Sequence, residues 1–246
     1  RNCRRLFSQL VGAKEQEVAY VPNTTFGLNL IAQMLPYKPG SNVVTNNLEY
    51  PSNVIAWLKL EERGVEIRFI RNTDGKIGLS QIEEAVDGKT VALAVGQVGW
   101  YHGFRHDLKA ISEIAHGKGA YLVVDAIQSA GAMKIDVKKE GIDFLACGSY
   151  KWLLGPPGAG FLFIREDLID ALNPPLVSYE SIDPELAEKN IFEGFDLYRL
   201  RYSKGIGKYE VAHLSDLAYV GAEASMKLLL DYGIGRVEQR IREIGN

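Results

Sequence analysis

Short apolar runs rich in branched residues alternate along this chain with stretches whose apolar positions recur every three or four residues. The first kind of run predicts strands at Ala19–Val21, Asn42–Thr45, Val65–Ile70, Thr90–Val95, Ala120–Val124, Phe144–Cys147 and Gly160–Ile164. Between them, helical spacing predicts helices over Thr25–Leu35, Ser52–Arg63, Ser80–Val86 and Leu108–Lys118, with Ser80 and Glu83 as a capping box. Several strands are apolar on both faces, as a sheet covered by helices on each side requires. The alternation predicts an α/β fold with a mainly parallel central sheet.

After Ile164 the texture changes. Residues Asn173–Glu193 hold three prolines and many polar side chains, and read as an excursion over the surface. A long helical pattern then runs from Val211 to Tyr232, stops at Gly233, and resumes over Arg236–Ile244. The expected organisation is one large domain over residues 1–205, then a linking helix and the start of a second domain over 206–246. The pattern begins and ends inside helices, so the chain reads as a fragment.

Composition narrows the class. The 246 residues carry a net charge of −3, which gives no basic surface for nucleic acid or an anionic membrane. No apolar run reaches the roughly 20 residues that span a bilayer. Two cysteines among 246 residues suit a reducing, cytoplasmic setting rather than a disulfide framework. The four histidines show no metal-ligand spacing, and no metal is expected.

The candidate chemistry lies at strand ends. Tyr121-Leu122-Val123-Val124 runs into Asp125, and Phe144–Cys147 runs on through Gly148-Ser149-Tyr150 into Lys151. Ligands of open α/β sheets sit beyond the carboxyl ends of the strands, so this acid and this amine can address one small molecule. Pyridoxal 5′-phosphate (PLP) needs such a pair: a buried carboxylate for its ring nitrogen and a lysine for its aldehyde. Upstream, Asn23-Thr24-Thr25 opens a helix where hydroxyl and N–H groups could receive a phosphate, although plain N-capping explains the same residues. Tyr50, in Glu49-Tyr50-Pro51-Ser52-Asn53, could stack on a flat ring or simply pack under a loop.

Taken in order, Asn23-Thr24-Thr25, Glu49-Tyr50-Pro51-Ser52-Asn53, Asp125-Ala126-Ile127-Gln128-Ser129 and Gly148-Ser149-Tyr150-Lys151-Trp152 resemble the class V aminotransferase family. The resemblance implies the PLP-dependent fold type I and a homodimer acting on an amino acid. It implies that Lys151 carries the cofactor as a Schiff base and moves protons at the substrate α-carbon. Asp125 would pair with the pyridinium nitrogen and Gln128 would bond the ring oxygen. Tyr50 would stack on the ring, and Thr24, Thr25 and Ser149 would hold the phosphate.

The chain departs from relatives of the cysteine desulfurase type at four places. Tyr150 replaces a His before the lysine, and Trp100 in Val98-Gly99-Trp100-Tyr101 stands where an Asn lies near the ring oxygen. Gly148 with Ser149 shifts the usual Ser by one position, and Arg201-Tyr202-Ser203-Lys204-Gly205, expected near the dimer seam, lacks a Thr. The expected activity is therefore aminotransfer, with a desulfurase or other PLP lyase as the alternative. A PLP-fold module that binds without turnover is the reading outside enzymes. A nucleotide-binding domain is disfavoured, because the first strand lacks a glycine-rich turn after it.

Overall fold

The computed structural model describes residues 2–183, 201–211 and 214–245. The elements in chain order are α1 (Cys3–Val11), β1 (Val18–Val21), α2 (Thr24–Met34), β2 (Asn42–Asn46), α3 (Ser52–Leu58), β3 (Glu66–Ile70) and α4 (Leu79–Ala85). There follow β4 (Thr90–Gly96), α5 (Leu108–Gly117), β5 (Tyr121–Asp125), β6 (Phe144–Gly148), β7 (Gly160–Ile164), α6 (Glu166–Ile169), α7 (Asp216–Tyr232) and α8 (Ile234–Gly245).

The seven strands form one sheet in the order β1-β7-β6-β5-β4-β2-β3. The neighbours β6-β5-β4-β2-β3 are parallel throughout, while β7 runs antiparallel to both β6 and β1. The reversal follows from the connection. Between Gly148 and Gly160 the chain makes only a tight loop, too short for the helical crossover that a parallel neighbour needs. Two apolar cores fill the faces. Leu6, Phe7, Leu122, Leu145 and Phe161 belong to one, and Leu28, Ile31, Trp57, Val123 and Phe144 to the other.

Helix starts use the caps the sequence supplies. Asn23, Asp107 and Ser215 each accept a hydrogen bond from a first-turn amide, as N-cap residues do. The predicted Ser80–Glu83 capping box does not form. Instead α4 begins one residue earlier, and the side-chain oxygen of Gln81 accepts from the Gly78 N–H at 2.9 Å. The helix predicted over Ser52–Arg63 is α-helical to Leu58 and then tightens to a 3-10 turn over Lys59–Arg63. The expected long helix starts at Asp216, and its Tyr219 is buried in the first core, where the phenol oxygen meets the Val21 and Gly160 carbonyls at 2.9 and 3.0 Å. Residues 184–193 of the predicted surface excursion lie outside the described residues. No helix among the described residues is long and apolar enough to cross a membrane.

Candidate active site

Three parallel strands deliver the central residues to one rim of the sheet. Gly96 ends β4 and pairs in register with Asp125, which ends β5 and pairs with Ala146 on β6. Asp125 is 5% exposed, and its Oδ1 accepts from the Ile127 N–H at 2.9 Å. Burial pushes its carboxyl up to about 7; the Ile127 hydrogen bond opposes this, the charge of Glu49 adds to it, and nearby Lys151 opposes it. Lys151 follows β6, and its Nζ lies 5.3 Å from the ring centre of Tyr50. Tyr50 comes from the loop between β2 and α3, and its ring meets Trp100 edge-on at 5.5 Å between centroids. Asp125, Lys151, Tyr50 and Trp100 thus converge from one strand end and three loops.

Gln128 joins them through a contact that spacing does not reveal. Its Oε1 accepts from the Trp152 Nε1–H at 3.3 Å, so the residue after the lysine holds the amide of the turn after the carboxylate. These two loops touch through their backbones. Gly131 has φ +94°, and a Cβ there would lie 2.2 Å from the carbonyl oxygen of Trp152. Only glycine allows both the conformation and the approach. Beyond the lysine the chain turns sharply: the Leu154 N–H donates to the Lys151 carbonyl at 3.0 Å and the Gly155 N–H to the Ser149 carbonyl at 2.8 Å. Leu154 takes a left-handed φ of 57° in this turn.

The four hydroxyls near the start of α2 divide into two kinds. The buried Thr24 Oγ1 accepts from the Gly148 N–H at 2.8 Å, which pins α2 to the end of β6. Ser149 is fully buried and donates to the Pro156 carbonyl at 2.6 Å, so its hydroxyl faces the loop rather than the rim. Thr25 is exposed and donates to Ser52 Oγ at 2.9 Å, bringing together the first turns of α2 and α3. The sequence marks Ser52 as the start of a helix, and its pairing with Thr25 places it beside the candidate phosphate site. The exposed Thr25–Ser52 pair stands at the start of α2, the kind of helix start that can receive an anion.

Other candidates stay outside this group. Cys147 is buried in β6, and burial holds its thiol well above the ordinary range. His106 is buried and its pKa is pushed down to about 4 by that burial, so it is neutral. His102 accepts from the Phe104 N–H through Nδ1 at 3.2 Å, with its ring packed against Gly99. No cluster of three His, Cys, Asp or Glu side chains suited to a metal ion occurs among the described residues.

Known proteins share this arrangement of strands and loops. The family model described as aminotransferase class-V matches residues 1–199. A probable cysteine desulfurase of Methanothermobacter thermautotrophicus is 31% identical over 97% of this chain and 58% of its own length. An uncharacterized aminotransferase of Bacillus subtilis is 32% identical over 98% of this chain and 61% of its length. Among solved structures, the apo cysteine desulfurase from Thermococcus onnurineus NA1 superposes with a TM-score of 0.87 at 31% identity, covering 97% of this chain and 58% of that one. The chain therefore spans somewhat more than half the length of these relatives.

Proposed function

Since this chain belongs to the aminotransferase class-V family, we propose that it forms the cofactor-binding part of a PLP enzyme that transfers the amino group of an amino acid. The observation that carries the reading is the meeting of Asp125, Lys151 and the Tyr50 ring at one rim. The residues fit the cofactor. Asp125 is a buried carboxylate that accepts the Ile127 N–H on Oδ1, and burial raises its proton affinity, a cost that a cationic partner would offset. A protonated ring nitrogen is such a cation. When bound, PLP supplies an electrophilic carbon for amines and a ring that takes up electrons from the substrate α-carbon.

The protein's part is orientation and proton handling. Asp125 holds the ring nitrogen in its protonated form. Lys151 anchors the cofactor and afterwards takes and returns the proton at the substrate α-carbon. Tyr50 covers one ring face. Gln128, with its oxygen held by Trp152, keeps its amide N–H groups free to donate to the ring oxygen. Thr25 and Ser52 receive the phosphate with the α2 amides, and Thr24 and Ser149 support the same loops from beneath. Trp100 walls the substrate side.

A second reading, cysteine desulfuration, is favoured by the names of two relatives at 31% identity. The two cysteines of this chain, Cys3 and Cys147, are both buried. The family resemblance further supports reading the protein as a cytoplasmic homodimer, with Arg201–Gly205 near the seam between subunits. The test is a single-turnover assay of the natural full-length protein loaded with PLP and given single amino acids. Formation of one equivalent of 2-oxo acid, with turnover only when a second 2-oxo acid is added, is the expected result. Alanine from cysteine, with sulfide released when a thiol reductant is added, would establish the second reading. No reaction with any amino acid by folded, PLP-loaded protein would overturn both.

A further inference from the structure

Glu49 stands where three elements end. Its Oε1 accepts from Asn46 Nδ2 at 2.7 Å and from the Gly96 N–H at 2.9 Å, and its Oε2 accepts from Asn53 Nδ2 at 2.9 Å. Those partners lie at the last residue of β2, the last residue of β4 and the first turn of α3. Both asparagines are buried and both are oriented by other donors. The Leu48 N–H occupies Asn46 Oδ1 at 3.0 Å, and the Trp57 indole occupies Asn53 Oδ1 at 3.4 Å. Each must therefore present its NH₂ to Glu49. A side chain surrounded by donors alone is selected to be an acceptor alone, which at this position means an ionised carboxylate.

Space for it is made by Gly96, where a Cβ would sit 3.1 Å from Glu49 Oε2. Gly96 is also the register partner of Asp125, so the two carboxylates lie at neighbouring strand ends. The titratable groups facing Glu49 are Asp125 from β5 and His102 from the loop after β4, with Lys151 beyond Asp125 from the loop after β6. From β2 and α3 it meets only the two amides. The proton affinity of Glu49 is raised overall: burial is the largest cause, and the three hydrogen bonds and His102 only partly pull it down.

We infer that Glu49 is a positioning residue of this site: a fixed anion behind Asp125 whose charge strengthens the hold on the protonated ring of PLP, and whose hydrogen bonds keep Tyr50 facing Lys151. The inference rests on the PLP reading above. It explains why two buried carboxylates are kept close together at a rim where a single one would serve as partner for the ring nitrogen. Unpaired, they repel; a ring cation held by Asp125 would offset that repulsion.

The experiment is a pH titration of the visible absorbance of PLP-loaded, natural full-length protein, compared with Glu49→Gln and Glu49→Asp. Glu49→Gln removes the charge and sets an N–H against Asn53, so the midpoint is expected to fall by roughly one pH unit, with weaker PLP binding in a fluorescence titration. Glu49→Asp keeps the charge on a shorter stem. Its midpoint is expected to stay near wild type while its thermal stability falls. A folded Glu49→Gln protein with wild-type midpoint and PLP affinity would overturn the inference. If Glu49→Gln does not fold, Glu49→Asp decides: a retained midpoint supports a role for charge, and a midpoint lowered by about a unit contradicts it. Failure of the wild type itself to bind PLP would instead remove the functional reading on which all this rests.

Discussion

The indole N–H of Trp152 donates to Gln128 Oε1 at 3.3 Å, tying the residue after the lysine to the turn after the carboxylate. The pair leaves the amide nitrogen of Gln128 as the group free to face a ligand. Trp152→Phe keeps the ring and loses the donor, so Gln128 can rotate. Because the pair is partly exposed, the stability cost should stay near 1 kcal/mol or below. The expected change is in the site: a displaced visible absorbance maximum of the PLP-loaded protein and PLP affinity lowered several-fold, read by absorbance and fluorescence titration.

Gly131 is the backbone counterpart of that pair. An added methyl would meet the Trp152 carbonyl at 2.2 Å with φ at +94°. Both strain and overlap act, and Gly131→Ala is expected to destabilise the protein by about 2–4 kcal/mol in urea unfolding. A loss below about 1 kcal/mol would mean that the two loops separate easily.

Thr24 tests the division between supporting and ligand-facing hydroxyls. Thr24→Val keeps the shape but leaves the buried Gly148 N–H without its acceptor, at an expected cost of about 1–3 kcal/mol. Thr25→Val loses only an exposed hydroxyl contact and should leave stability within about 0.5 kcal/mol. Its effect should fall on the affinity for PLP, and particularly on competition by inorganic phosphate, measured by fluorescence titration.

Asp125 makes the PLP-free protein less stable as pH rises. Its carboxyl holds a proton up to about 7 in the fold, against an ordinary 3.8. Between those values the folded state binds more protons than the unfolded state, so stability declines from about pH 4 to about pH 7. Above that window the loss is complete, on the order of a few kcal/mol. Asp125→Asn should flatten this dependence and raise the urea midpoint at pH 8 relative to wild type, with a smaller gain at pH 5 and little change below about pH 3.8. Adding PLP should narrow that gap, because a ring cation stabilises the ionised Asp125 of the wild type and finds no charge in the variant.

How much of this was legible in the sequence follows from the range of each interaction. Strand ends are local: an apolar run stopping at Asp125 and another running out to Lys151 can be read directly, and the α/β alternation places both on one rim. The reversed β7 was also within reach, since the loop from Ser149 to Ala159 is too short for a helix. What spacing could not show are contacts between distant segments. Gly131 and Trp152 meet only when two loops fold against each other, and nothing beside Gly131 marks it as an approach site. Glu49 looks like a surface acid until Asn46, Gly96 and Asn53 surround it. Ser149 sits beside the lysine in sequence, yet its hydroxyl turns inward, because one residue of displacement along an extended strand end reverses the side chain's direction.

The claim that Lys151 anchors PLP is tested most directly by borohydride reduction of the PLP-loaded, natural full-length protein, followed by peptide mass mapping. The account requires one pyridoxyl group per chain, on the peptide containing Lys151, and its disappearance in a folded Lys151→Ala variant. A label scattered over surface lysines, or equal labelling of the variant, would contradict it.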